Sequence, residues 1–109
     1  MARYAVRFDR DAIADLVDIR DVIAEARGAA FANAFIERVV AHCESFCILP
    51  DRGTRHEAIY PGLRTSTWRR TITIAFIVND DARHVVVLGA FYRGRDYLAV
   101  LAKRLKEVK

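Results

Sequence analysis

Two arginines and two tyrosines fall within seven residues, Phe91-Tyr92-Arg93-Gly94-Arg95-Asp96-Tyr97. Arginine presents a planar charged fork that suits phosphate or carboxylate, and tyrosine offers a flat face for stacking. Gly94 permits a backbone turn that a Cβ would resist. The stretch follows the most continuous apolar run, Val85-Val86-Val87-Leu88, and precedes a helical pattern. It therefore belongs where a buried strand ends and a helix begins, which is a plausible working surface. The competing reading is a loop of solvated arginines with tyrosines packed on the core. Arg64, Arg69 and Arg70 are the other basic residues that could line a groove with Arg93 and Arg95. Strand alternation places Arg69 and Arg70 on opposite faces, so at most one of them joins a given groove.

Other chemistry is thinly represented. His84 starts a strand and has no carboxylate nearby in sequence. His56-Glu57 lies in an irregular segment and reads as an acid–base pair or as a solvated loop pair. His42 falls on the polar flank of a helix. Cys43 and Cys47 are four apart on a helical pattern, which is half a zinc site with no second pair to complete it. They read as buried, unreactive thiols, and neither metal nor cofactor is expected. No GxGxxG, Walker or Ser/His/Asp set is present.

The elements that must position these residues follow from periodicity. The chain has 109 residues, 53% of them apolar, enough for one domain with one core and no disulfides. Residues 3–8 alternate as a short strand, with Tyr4, Val6 and Phe8 on one face. Asp9 can cap a helix running to about Ala26, with Ala12, Leu16, Ile19, Ile23 and Ala26 as its apolar stripe. Asp11, Asp15, Asp18 and Glu25 then read as a solvated face. Arg27-Gly28 interrupts the pattern. A second helix, from about Ala29 to Leu49, is lined by Phe31, Phe35, Val39, Cys43 and Phe46, and Pro50 ends it. The two helices should form an antiparallel hairpin.

Residues 50–62 read as irregular. Strands are predicted at 63–68, 70–78 and 84–91, with turn chemistry at Asn79-Asp80-Asp81. The last of them, unbroken in its apolar run, should be central. Asp96 can cap a final helix striped by Leu98, Leu101, Leu105 and Val108, with its basic residues opposite. The predicted order is βααβββα, an α+β domain spanning residues 1–109. Its helical hairpin packs on a mostly antiparallel four-stranded sheet, and a C-terminal helix follows.

The formal charge is +4 and unevenly placed. Residues 9–25 hold six acids against two arginines, while residues 93–109 hold six bases against two acids. A basic end permits an acidic partner, protein or nucleic acid. The start of the chain shows no apolar signal region and no run reaches membrane-spanning length, so a cytoplasmic protein is expected, with no membrane partner.

This order and its motifs resemble the RelE/ParE family of bacterial toxins, closest to the ParE-like branch. The resemblance covers nearly the whole chain. It rests on Asp15-Leu16, Phe35, Pro50 with Gly53-Thr54, Pro61-Gly62-Leu63-Arg64, Ile74-Ala75-Phe76, and Leu88-Gly89-Ala90-Phe91-Tyr92 running into Gly94-Arg95-Asp96-Tyr97. It implies a small cytoplasmic toxin held inactive by an antitoxin encoded beside it. RelE-like members of the family cut mRNA on the ribosome, whereas ParE-like members poison DNA gyrase.

Cleavage by 2′-hydroxyl attack needs a proton acceptor, a proton donor and positive charge on the phosphate. RNase members commonly place an arginine ahead of the middle strand's apolar run, where this chain has Thr73. Some place a histidine beside the tyrosine at the last strand's end, where it has Phe91. The favoured reading is thus a ParE-like toxin acting on gyrase by protein binding. Arg64, Arg70, Tyr92, Arg93, Arg95 and Tyr97 are then candidates for contact with target or antitoxin. The antitoxin is expected over the apolar and basic surfaces around the hairpin and sheet, through a segment that orders on binding. The alternatives are a ribosome-dependent mRNA endonuclease using Arg64, Tyr92, Arg93, Arg95 and Tyr97, and a toxin-fold protein with neither activity.

Overall fold

The computed structural model describes residues 3–48, 50–93 and 97–108. The elements are β1 (Ala5–Phe8), α1 (Arg10–Arg27), α2 (Ala29–Glu44), a 3-10 turn (Ser45–Cys47), β2 (Thr54–Arg55), β3 (Leu63–Trp68), β4 (Ile72–Asn79), β5 (His84–Tyr92) and α3 (Tyr97–Val108). The sheet has five strands in the order β1-β5-β4-β3-β2, antiparallel except for the β1–β5 pair. The expected count of four missed β2. Its two exposed residues carry no periodic signal, and only pairing with Thr65 and Arg64 makes them a strand.

Local chemistry sets the helix ends. The Asp9 carboxylate accepts from the backbone N–H of Asp11 at 3.5 Å and caps α1. Gly28 separates α1 from α2 with φ +89°, and a Cβ there would meet nothing within 4 Å. Conformation rather than space therefore calls for glycine at this elbow. α2 stops at Glu44, short of the predicted end, and continues as the 3-10 turn.

Both faces of the sheet are covered. On one, the α1–α2 hairpin packs Leu16, Ile19, Ile23, Val39, Cys43 and Phe46 against Ile72, Ile74, Phe76, Val85 and Val87. Phe46 and Phe76 stack at a centroid distance of 4.2 Å. On the other, α3 sets Leu101 and Leu105 against Leu63, Ala75, Leu88 and Phe91. β5 is buried on both sides, as its apolar run implied. Ala26, expected in the α1 stripe, is exposed, and so is Phe31 of α2.

A β-bulge organises β5. Phe76 pairs with Val87 but Ala75 pairs with Gly89, so Leu88 is an extra residue. β1 pairs with β5 only as far as Val87. Beyond that point side chains replace the ladder, since buried backbone groups need partners. The Ala90 N–H donates to Asp15 at 3.0 Å, and Arg104 Nη1 donates to the Leu88 carbonyl at 3.1 Å. Arg104 also grips Asp15 with both terminal nitrogens, at 2.8 and 2.9 Å. Asp15, read from its spacing as part of a solvated face, and Arg104, read as a solvated base of the final helix, are instead the clasp joining α1, β5 and α3. Gly89 lies beneath it: a Cβ there would come within 2.6 Å of Arg104 Nη1 and 2.7 Å of the Phe91 ring.

Candidate functional site

The six candidate residues do not form one site. Arg64 points to the hairpin face of β3 and is only 8% exposed. Its Nη1 donates to the carbonyl of Asp51 at 3.0 Å, and Nη2 lies 3.5 Å from the Asp51 carboxylate. It braces the segment leading into β2. Trp68 and Ile72 pair at the end of the β3–β4 hairpin, four residues along from Arg64, or roughly 13 Å of strand. Tyr97 lies on the α3 side, its ring centroid 5.8 Å from that of Phe91. Tyr92 packs against the opposite, hairpin-side core. Arg95 lies outside the described residues, as do Gly94 and Asp96.

Three of the candidates or their neighbours do converge. Ile72 pairs with Tyr92, and the Arg93 N–H donates to the Thr71 carbonyl at 2.8 Å, so the β3–β4 turn and the end of β5 lie side by side. Arg70 is in that turn and not in β4. Arg69 and Arg70 have φ values of +50° and +56°, and the Thr71 N–H closes the turn on the Trp68 carbonyl at 3.0 Å. Alternation does not apply to a turn, so the expectation of opposite faces fails; both arginines are exposed at its tip. Arg93 also has positive φ, +57°.

The α1–α2 elbow closes this end of the sheet into a groove of about 420 Å³, lined by Val22, Arg27, Phe31, Phe35, Tyr92 and Arg93 among others. Arg27 lies over the Phe31 ring at 4.1 Å, Arg69 over Trp68 at 4.8 Å, and Arg93 over Tyr92 at 5.0 Å. Sequence reasoning missed Arg27, Phe31 and Val22 here. Val22 sits off the α1 stripe and so announces an exposed apolar residue; Phe31 was assigned to the core.

The positions that bear on RNA cleavage face the other way. Thr73 pairs directly with Phe91. Phe91 is buried beneath α3, with the Arg104 guanidinium 5.3 Å from its centroid. The histidines are engaged elsewhere. His42 Nε2 lies 3.3 Å from Ser66 Oγ, and burial first, then the charge of Arg52, pushes its pKa down. His56 Nε2 is 2.9 Å from Thr65 Oγ1, while Glu57 accepts from the Gly62 N–H at 3.1 Å. His84 pairs with Asn79 at the far end of β5. Cys43 is fully buried, and burial pushes its thiol up to about 12; Cys47 is only half-buried. Among the described residues no cluster of three metal-ligating side chains occurs.

The far end of the sheet carries a groove of about 650 Å³ lined by Asp51, Glu57, Asp80 and Asp81 together with Arg55 and Arg64. Three of these carboxylates are committed locally: Asp51 to Arg64, Glu57 to Gly62, and Asp80 to the Tyr4 hydroxyl at 2.7 Å.

Solved structures share this architecture. The chromosomal ParDE toxin–antitoxin system of P. aeruginosa matches with a TM-score of 0.71 and 22% identity, over 84% of this chain and 98% of that one. The RelBE2 toxin–antitoxin complex of Mycobacterium tuberculosis matches with a TM-score of 0.61 and 23% identity, over 87% and 97%. A mutant E. coli RelE toxin in the free state matches at 0.54 and 17%, over 98% and 99%. At these identities the likeness speaks for the fold. No curated protein sequence matches significantly. The family model for the ParE toxin of type II toxin–antitoxin systems matches residues 6–98. That span takes in the hairpin, all of the sheet but Ala5, and the first residues of α3, and the chain accordingly belongs to the ParE toxin family.

Proposed function

We propose that this toxin inhibits growth by binding and poisoning DNA gyrase, without cleavage chemistry of its own, and that a cognate antitoxin neutralises it. The observation that carries this reading is the Thr73–Phe91 pair. RNase members of the wider family place cationic and proton-transferring side chains at the positions these residues resemble. Here a threonine and a phenylalanine pair across two strands, and the phenylalanine is sealed by Tyr97 and Arg104. Neither side chain can accept the 2′-hydroxyl proton or return one to the leaving oxygen at neutral pH. The arginines and aromatic rings at the sheet end suit a binding surface, where such residues dominate affinity. The work of this toxin would then be done by contact in the cytoplasm, with no cofactor.

The test uses purified components. Wild-type toxin with gyrase, ATP and supercoiled DNA is expected to accumulate linear DNA in a protein-linked cleavage complex. On translating ribosomes it is expected to leave mRNA intact. Codon-positioned mRNA cuts without gyrase-dependent breaks would overturn the proposal in favour of an endonuclease.

A further inference from the structure

The groove between the α1–α2 elbow and the β3–β4 turn has an apolar floor, and its charged lining residues are both arginines, Arg27 and Arg93. Val22 and Phe31 are 54% and 42% exposed, large apolar areas left open to water. Arg27 and Arg93 line the groove with them, and the Arg69-Arg70 turn adjoins it through Thr71; none of these four arginines forms an ion pair among the described residues. Four carboxylates pair with other arginines: Asp11 and Asp15 with Arg104, Asp21 with Arg20, Asp51 with Arg64. All the described non-glycine residues with positive φ are arginines, and three of the four are at this end of the sheet. A side chain in that conformation is disfavoured, and Asn-Gly would serve the turn better. The turn thus carries two charges at a conformational cost; Arg69 rests on the Trp68 ring, and neither arginine meets a carboxylate among the described residues.

We infer that this groove seats one large apolar side chain carried on an acidic segment of the antitoxin. Carboxylates flanking the anchor would pair with Arg93 and the neighbouring Arg69-Arg70 turn on the sheet side and with Arg27 on the elbow side. The inference rests on the antitoxin reading above and assigns it a place. A protein segment fits better than nucleic acid because the floor is aliphatic and aromatic. A phosphate backbone would satisfy the arginines but leave Val22 and Phe31 exposed. Burial of an anchor in a pocket ringed by charged contacts is the usual arrangement of an interface hot spot. The guanidiniums over Phe31, Trp68 and Tyr92 are held against rings, so little side-chain freedom is lost when carboxylates arrive.

Two variants separate the contributions. Phe31→Ser removes an exposed side chain from the floor and should leave the fold intact. The double variant Arg69→Asn/Arg70→Gly removes two charges while installing the favoured turn residues, so it should melt no lower than wild type. Each is titrated against labelled full-length cognate antitoxin at low and at physiological salt, and against a labelled DNA duplex. Phe31→Ser is expected to weaken antitoxin binding about 30-fold or more. The double variant is expected to weaken it about tenfold and to lose much of its salt dependence. Wild-type affinity in both variants would overturn the inference while leaving the antitoxin reading standing. It would equally fall if the double variant lost only DNA binding, because the arginine rim would then belong to nucleic acid. Failure of the wild type to bind the antitoxin at all would sink the antitoxin reading itself, and this assignment with it.

Discussion

Asp15 makes three connections with one carboxylate. It accepts two hydrogen bonds from Arg104 and one from the Ala90 backbone, and its side chain is only 16% exposed. Charge-assisted, bidentate pairing of this kind is among the stronger side-chain interactions. The hydrogen bond to Asp15 also raises the pKa of Arg104, which favours the charged guanidinium. His42 has the opposite standing. Burial and the charge of Arg52 lower its pKa, so the fold favours the neutral ring. Below the ordinary value of 6.5 the unfolded chain takes up a proton more readily than the folded one. The stability associated with neutral His42 is thus whole above that pH and is lost as pH falls through the folded value. Urea titrations at stepped pH should show wild-type stability declining below that ordinary value and a shallower decline in His42→Asn. Parallel curves for the two proteins would remove His42 as the source.

At the scale of elements, α3 is the least integrated piece. It touches the rest chiefly through Leu101, Leu105, Tyr97 and the Arg104 clasp, and its Leu98 and Val100 remain exposed. A short helix on a small apolar cluster should open without global unfolding. Arg104→Ala removes the clasp and leaves Asp15 half-answered, at a cost of about 2 kcal/mol. That corresponds to roughly 30-fold in the opening equilibrium. Hydrogen exchange should show amides of α3 losing protection by about that factor, while those of β4 and β5 keep theirs. Uniform loss across the sheet would mean that α3 is part of the global cooperative unit.

For the molecule as a whole, the larger core lies between hairpin and sheet. Phe46 is fully buried there, stacked on Phe76 with the edge of His42 against it. Phe46→Ala should cost about 3–5 kcal/mol. Because a small domain has only about 5–15 kcal/mol in total, that variant should unfold at a much lower urea concentration, in a single transition. A midpoint near wild type would show that the core collapses around the lost ring. The two ends of the sheet differ in charge: the groove by the β3–β4 turn has only arginines as charged lining residues, while the one by the β4–β5 turn mixes four carboxylates with Arg55 and Arg64. A partner with an acidic segment is expected to favour the end with the β3–β4 turn.

The sequence by itself determined the order of the long elements, the hairpin of helices and the central place of β5. Those are written in local periodicity, which the chain must satisfy wherever it is folded. What only the tertiary structure decided is which polar residues meet. Asp15 and Arg104 are 89 positions apart and each resembled one more charge on a solvated helix face. The bulge at Leu88, which opens the backbone groups they bind, has no periodic signature. Arg64 and Arg93 looked like partners in one groove because both are basic and near strand ends. Strand register sets the row that ends at Tyr92 about 13 Å along the strands from Arg64, turning Arg64 into a brace and leaving Arg93 exposed beyond the end of β5. Two-residue β2 and the Arg69-Arg70 turn exist only because neighbouring strands impose their geometry on residues whose own preferences point elsewhere.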